Sequence, residues 1–180
     1  MVDFAVAKAI NQFGSGTFID SLTKLVSSYA FLVIILMIIL IFILIKDRKN
    51  GKIIVIALLI AMFLHFAVSE GVMKGIISFR ERPYMAHSGE IAPLGKLNTD
   101  ASFPSNHMSS TLAVLTVLIY YYRKYWPVAL IFALMMAFAR IHNGMHYPTD
   151  VLAGAVFGIA WGIIGIYSAK RISKILKIRY

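Results

Sequence analysis

Residues 25–45 form a run of 21 uncharged, mostly apolar side chains. A helix of that length rises about 30 Å, which matches the hydrocarbon core of a bilayer. Composition agrees with a membrane solvent. The chain is 59% hydrophobic with a mean hydropathy of +0.78 over 180 residues, whereas soluble domains are usually about 45–50% apolar. Four more apolar runs follow, at 53–69 (continuing past Glu70 to about Met73), 108–122, 125–139 and 151–169. Two of them hold only 15 residues. They cross if their polar ends, including His107 and Arg140, face the protein interior. The expected fold is an all-α polytopic membrane helix bundle. It has five transmembrane helices at about 27–45, 53–73, 107–122, 126–141 and 150–169, in one integral-membrane domain covering 1–180.

Residues 2–26 are amphipathic rather than spanning. Phe4, Ala7 and Ile10 make a stripe at helical spacing, and Asp3, Lys8 and Asn11 interrupt it. After the break at Gly14 and Gly16 comes a second such piece, with Asp20 and Lys24 at i,i+4. Both predict N-terminal interfacial helices. The early charges also leave no continuous apolar core for a cleavable signal.

A net charge of +10 would suit nucleic acid in a soluble protein. Here it predicts basic cytoplasmic loops, with membrane lipids and not nucleic acid as partners. Lys46, Arg48, Lys49 and Lys52 join the first two spans, and Arg123 and Lys124 join the third and fourth. Lys170, Arg171, Lys174, Lys177 and Arg179 follow the fifth. Those 11 of the 18 Lys and Arg side chains fall on one side, opposed only by Asp47. Tyr120, Tyr121, Tyr122, Tyr125 and Trp126 lie at the same face, as an aromatic belt does. The C-terminus is then cytoplasmic, and the N-terminus and the loops 74–107 and 140–150 are extracytoplasmic in a multi-pass cell-membrane protein. Without cysteine there is no disulfide or thiol chemistry. The number of copies in an assembly is not legible.

Those two loops carry the chemistry. Lys74, Arg82 and Pro83 open the first, and Pro104, Ser105, Asn106 and His107 close it; the second holds Arg140, His146 and Asp150. Phosphoryl transfer needs positioned cations and N–H donors around the charged oxygens. Arg82 and Arg140 offer bidentate contacts, Lys74 a point charge, and the helix start at Ser105, Asn106 and His107 offers backbone donors. Ser105 is equally a good N-cap. Pro148 suits the first turn of the last span and brings Asp150 within reach of His146. An unprotonated imidazole whose other nitrogen faces a carboxylate is a nucleophile, which gives His146 that part and Asp150 the orienting one. Two or three histidines could instead bind zinc, although Arg82 and Arg140 would repel it.

The remaining polar residues predict blander parts. Glu70 pairs with Lys74 at i,i+4, and His65 is a hydrogen-bonded interior histidine. His142 and Asn143 shape their loop, with substrate contact a further option for His142. His87, Glu90 and Asp100 are solvated or lid residues, and Arg80 is an alternative to Arg82. A small transporter or structural subunit would instead line a path across the membrane with ionisable groups; only His65 lies deep.

The three segments together resemble the signature of the phosphatidic acid phosphatase type 2 superfamily: Lys-x(6)-Arg-Pro, Pro-Ser-Gly-His and Ser-Arg-x(5)-His-x(3)-Asp. Three departures stand out. Seven residues separate Lys74 from Arg82, Asn106 replaces the glycine where a left-handed backbone is tolerated, and Ala139 replaces the serine. The resemblance implies a phosphohistidine on His146, hydrolysed by water, with His107 as acid and then base. It also implies no metal and no cofactor. Asn11, Gln12 and Phe13, then Ile19, Asp20 and Ser21, then the stretch 101–107 look like membrane undecaprenyl-pyrophosphate phosphatases. The expected substrate is therefore a lipid phosphate or pyrophosphate, foremost undecaprenyl pyrophosphate. Phosphatidylglycerolphosphate, phosphatidic acid and lipid A are alternatives.

Overall fold

A computed structural model describes residues 2–177. Arg179, counted above in the basic tail, lies outside the described residues. The chain is all-helical, with no strand among those residues. α1 (Val2–Gln12) and α2 (Phe18–Val26) precede α3 (Tyr29–Lys46). α4 (Gly51–Leu64) continues into a π-helical segment, His65–Ile77. A single turn, α5 (Pro83–Ala86), sits in the long loop, and α6 (Asn106–Tyr121), α7 (Trp126–His142) and α8 (Pro148–Ile175) complete the fold.

Four helical stretches are long and apolar enough to cross a membrane: Tyr29–Lys46, Gly51–Ile76, Arg123–His142 and Pro148–Ile175. The remaining expected span, 107–122, corresponds to α6, whose 16 residues rise only about 24 Å. Its length falls short because its first turn belongs to the site and its last ends at Tyr121. α3 buries only Ile43. Val33, Ile34, Ile38, Ile41 and Phe42 are exposed along it. An apolar helix left so bare fits lipid as its solvent.

α4, α6 and α8 form the core, around Ile53, Ile54, Ala57, Ala61, Ala113, Val117 and Ile166. Lipid tails are as apolar as leucine, so close backbone approach and van der Waals contact hold such helices together. α8 supplies the approach through Gly154, Gly158, Gly162 and Gly165. A Cβ on Gly162 would stand 2.6 Å from Cβ of Thr116 and 2.9 Å from the Ala113 carbonyl. Gly162→Leu is therefore expected to destabilise the fold by about 1–3 kcal/mol. The check is a lower thermal midpoint in detergent for a variant that alters no polar group.

α1 and α2 both pack on α7. Asn11 donates to the carbonyls of Ala92 (2.8 Å) and His142 (2.6 Å). His142 contacts the Ile10 carbonyl and Asp20 through its two nitrogens, each at 2.9 Å. Asn143 donates to Ser27 Oγ at 2.8 Å. His142 is thus committed to holding the N-terminal helices, which removes it from the candidates for substrate contact. At the other end of the bundle, the Tyr122 hydroxyl donates to Asp47 at 2.8 Å, and Lys170 lies over the Tyr120 ring. The basic loops thus gather opposite the end that carries His107, Arg140 and His146.

Candidate active site

The first loop delivers two cations. Beyond Leu64 the helix takes π winding, with bonds from residue i+5 to i; the last, Ser78 N to the Met73 carbonyl, is 2.8 Å. Residues four apart no longer stack in such a segment. The expected Glu70–Lys74 pair is accordingly absent among the described residues, and Lys74 turns to Asp100 instead, Nζ to Oδ2 at 2.9 Å. Arg82 precedes Pro83 in extended backbone (φ −70°, ψ 151°), as a residue before proline prefers. Its side chain is buried, 1% exposed. Nη2 donates to Asp100 Oδ1 at 2.8 Å, Nε to the Asp100 carbonyl at 3.1 Å, and Nη1 to the Met145 carbonyl at 2.9 Å.

Asp100 was expected to be a solvated or lid residue. It keeps a half-exposed side chain, yet it bridges Lys74 and Arg82. Burial opposes its charge, but Lys74 and Arg82 together hold its carboxyl below the usual range. No spacing rule could have found it, because a lone acid in a polar loop reads as solvated. Glu90 pairs with Lys8 at 2.6 Å, and His87 stacks on Phe4.

Arg140, in the last turn of α7, is 5% exposed. The link from α7 to α8 turns at Gly144, whose φ of +71° favours glycine. A Cβ there would also meet Ile91 Cγ2 at 2.7 Å. Two residues later His146 is buried, 1% exposed. Its Nε2 lies 3.4 Å from Arg82 Nη1. A guanidinium can only donate, so Nε2 is the unprotonated nitrogen and Nδ1 carries the proton. Nδ1 faces Asp150 Oδ2 at 3.8 Å, a charge contact longer than a hydrogen bond. Burial, then Arg140, Arg82 and Lys74, push the His146 pKa well below the ordinary imidazole value. The ring is therefore neutral at physiological pH.

Asp150 is fully engaged. Pro148 takes the first position of α8, as expected, and Asp150 Oδ2 accepts from the Tyr147 N–H at 2.9 Å as a helix cap does. Ser102 Oγ donates to the same oxygen at 2.6 Å, and Arg80 Nη1 to Oδ1 at 2.6 Å. Arg80 is anchored by Asp3 of α1, which also accepts from Thr149. Arg80 thus stands behind the carboxylate and Arg82 beside His146, which separates the two arginines the sequence left as alternatives. The Asp3–Arg80–Asp150 chain carried no sequence signal, because its first two members stand 77 positions apart.

α6 brings the rest. Ser105 holds the N-cap position, but its side chain makes no capping bond; its amide donates to the Asp150 carbonyl at 3.0 Å. Asn106 is the first helical residue, and the only non-glycine residue with positive φ among those described is Lys177. The expected left-handed backbone at Asn106 is thus not used, because the chain goes straight from extended Ser105 into α6. His107 is buried beside Tyr29, ring centroids 4.3 Å apart. Ser105 Oγ, Asn106 Oδ1, His107 Nε2, Arg140 Nε and His146 Nδ1 are all buried with no hydrogen-bond partner. Unsatisfied buried polar atoms are rare, and a group of them calls for a chemical explanation. With Lys74, Arg82 and Asp150, all eight sequence-predicted residues meet here. The donors are cations, imidazoles and a helix start, a set suited to an anion. A cavity of about 380 Å³ leads from His107 and Arg140 outward past Tyr29.

Residues 51–174 match the PAP2 superfamily. The chain is 29% identical to the undecaprenyl-diphosphatase BcrC of Bacillus subtilis, over 91% of this chain and 82% of that protein. It is 33% identical to an undecaprenyl-diphosphatase of Sulfolobus acidocaldarius, over 72% of this chain and 61% of that protein. Its fold superposes on a PAP2-type phosphatidylglycerolphosphate phosphatase from Bacillus subtilis with a TM-score of 0.68 at 22% identity, covering 95% of this chain and 86% of that one.

Proposed function

The chain belongs to the PAP2 superfamily, as a membrane hydrolase of lipid phosphate esters, and from that premise we propose that it converts undecaprenyl pyrophosphate to undecaprenyl phosphate and inorganic phosphate. The observation that carries the reading is the convergence of unpartnered His107, Arg140 and His146 atoms with Lys74 and Arg82 at one buried point. Similarity to two proteins named undecaprenyl-diphosphatase supports the choice of lipid.

In the proposed reaction, Nε2 of His146 attacks the terminal phosphorus. The bond from that phosphorus to the bridging oxygen breaks, and its electron pair goes to the oxygen, which takes a proton from His107. Lys74, Arg82, Arg140 and the amides at Ser105 and Asn106 hold the equatorial oxygens. Asp150 steadies the positive imidazole through Nδ1. Water then attacks the phosphohistidine, giving its proton to His107, and phosphate leaves with His146 restored. No metal or cofactor takes part, and the converging positive groups disfavour a divalent cation.

The proposed setting is the cytoplasmic membrane. In it α6 serves as a fifth, short span, because its polar start faces the site instead of lipid. α1 and α2 lie in the interface, and the chain is one domain. The basic loops opposite the site support a C-terminus on the inside and a site on the outside.

Phosphate release by detergent-solubilised protein tests the reading. Undecaprenyl pyrophosphate is expected to give the highest kcat/KM in a panel with phosphatidylglycerolphosphate, phosphatidic acid and lipid A, unchanged by chelator. A higher value on one of the monoesters would reassign the substrate. Loss of turnover with chelator would remove the metal-free mechanism.

A further inference from the structure

The cavity beside the site is lined by cations and by no carboxylate among the described residues. Its lining includes the buried His107 and Arg140 and the exposed Lys24 and Lys96, which puts the two lysines on its solvent side. Lys24 stands in the last turn of α2 and Lys96 in the long loop. Two elements far apart in sequence thus bring lysines to one cavity. Neither lysine forms an ion pair among the described residues. The carboxylate nearest Lys24 in sequence, Asp20, is already bonded by His142 and the Gly16 amide. The volume of about 380 Å³ falls within the range of small-ligand sites, roughly 300–1,000 Å³.

The chemistry of the leaving group says what belongs there. His107 must reach the oxygen that departs, and His107 lines this cavity. The atom on the far side of that oxygen therefore lies in the cavity, toward the mouth. In a lipid pyrophosphate that atom is a second phosphorus with charged oxygens. In a lipid phosphate monoester it is an uncharged carbon. We propose that Lys24 and Lys96 form a second phosphate subsite, which binds the phosphate retained on the lipid and selects pyrophosphate over monoester substrates. The inference rests on the phosphatase reading above and narrows it to a substrate class. The lysines act on the substrate portion that is not cleaved, so they raise affinity and orient the bridging oxygen toward His107 without touching the reacting phosphorus.

The test compares kcat/KM for undecaprenyl pyrophosphate and phosphatidic acid in the wild type, Lys24→Ala/Lys96→Ala and Lys24→Arg/Lys96→Arg. A charge-assisted hydrogen bond lost at each lysine gives an expected fall of about 10- to 100-fold or more on the pyrophosphate for the alanine pair. Turnover of phosphatidic acid should change less than about threefold, and the arginine pair should restore most of the loss. Equal losses on both substrates would overturn the subsite in favour of general attraction to anionic lipid. No loss on either would place the lysines outside the substrate's reach. If the wild type turned over phosphatidic acid but no pyrophosphate, the substrate reading itself would fail and the subsite with it. A wild type active on pyrophosphate whose alanine pair kept the same substrate ratio would overturn the subsite alone.

Discussion

His146→Ala is expected to lower phosphate release by about 10⁴-fold or more, because the covalent step loses its only nucleophile and not merely one stabilising contact. The ring is buried, and its position is set by the Gly144 turn and the start of α8 rather than by substrate. Removing it leaves Lys74, Arg82 and Arg140 in place, so substrate should still bind while turnover stops. Rapid quenching of the wild type with phosphorus-labelled pyrophosphate should show label on the protein that is labile to acid and stable to base, as a phosphorus–nitrogen bond is. His146→Ala should show none. His107→Ala separates the two steps. A phosphate leaving group is a weak base and departs with little help from an acid, whereas water still needs a base to attack. That variant should therefore accumulate labelled protein with the pyrophosphate substrate. Normal release by His146→Ala, or label that persists in it, would remove the nucleophile from this position.

The site was legible to the extent that its residues carry chemistry at short range. His146 and Asp150 are four apart across a helix start, and Pro148 announces that start, so their meeting follows from local rules. Arg82 was separable from Arg80 by the neighbouring proline alone, and the structure adds why: the extended residue before Pro83 turns into the site, while Arg80 reaches Asp150 from behind. Lys74 looked one residue out of register. The π segment frees Lys74 from Glu70, and Lys74 and Arg82 converge on the two carboxylate oxygens of Asp100. Apolar periodicity cannot reveal such winding, since nearly every side chain from Ile53 to Val68 is apolar. Asp100, Arg80 and Asp3 were missed because an ion pair across 18 or 77 residues leaves no local pattern. The fold itself was legible from run lengths. α6 has the expected 16 residues and is shorter than the other spans, while α8 runs on to Ile175, beyond the expected end at 169.

Arg140→Met is expected to move activity and stability in opposite directions. Arg140 is 5% exposed, its Nε has no partner, and no carboxylate pairs with it among the described residues. An unpaired buried cation is costly, and here it shares a site with Lys74 and Arg82, whose one bridging acid is Asp100. Methionine fills a similar volume without charge, so the ligand-free variant should melt at the same temperature or higher, by an amount equivalent to as much as about 4 kcal/mol. Phosphoryl transfer loses a donor to the equatorial oxygens, and kcat/KM should fall by about 10²–10³-fold. The pH profile gives a third readout. His146 attacks only when neutral, so activity is lost as pH falls through its pKa. After burial, Arg140 contributes most to holding that pKa down. Removing the cation raises the pKa, and the acid limb of kcat/KM should shift to higher pH. Orthovanadate, a phosphate analogue, should raise the melting midpoint of the wild type and leave that of Arg140→Met nearly unchanged. A variant that melts lower, keeps its turnover and responds to vanadate would make Arg140 a structural cation. The reverse pattern would mean that the instability at Arg140 is retained for binding the phosphate.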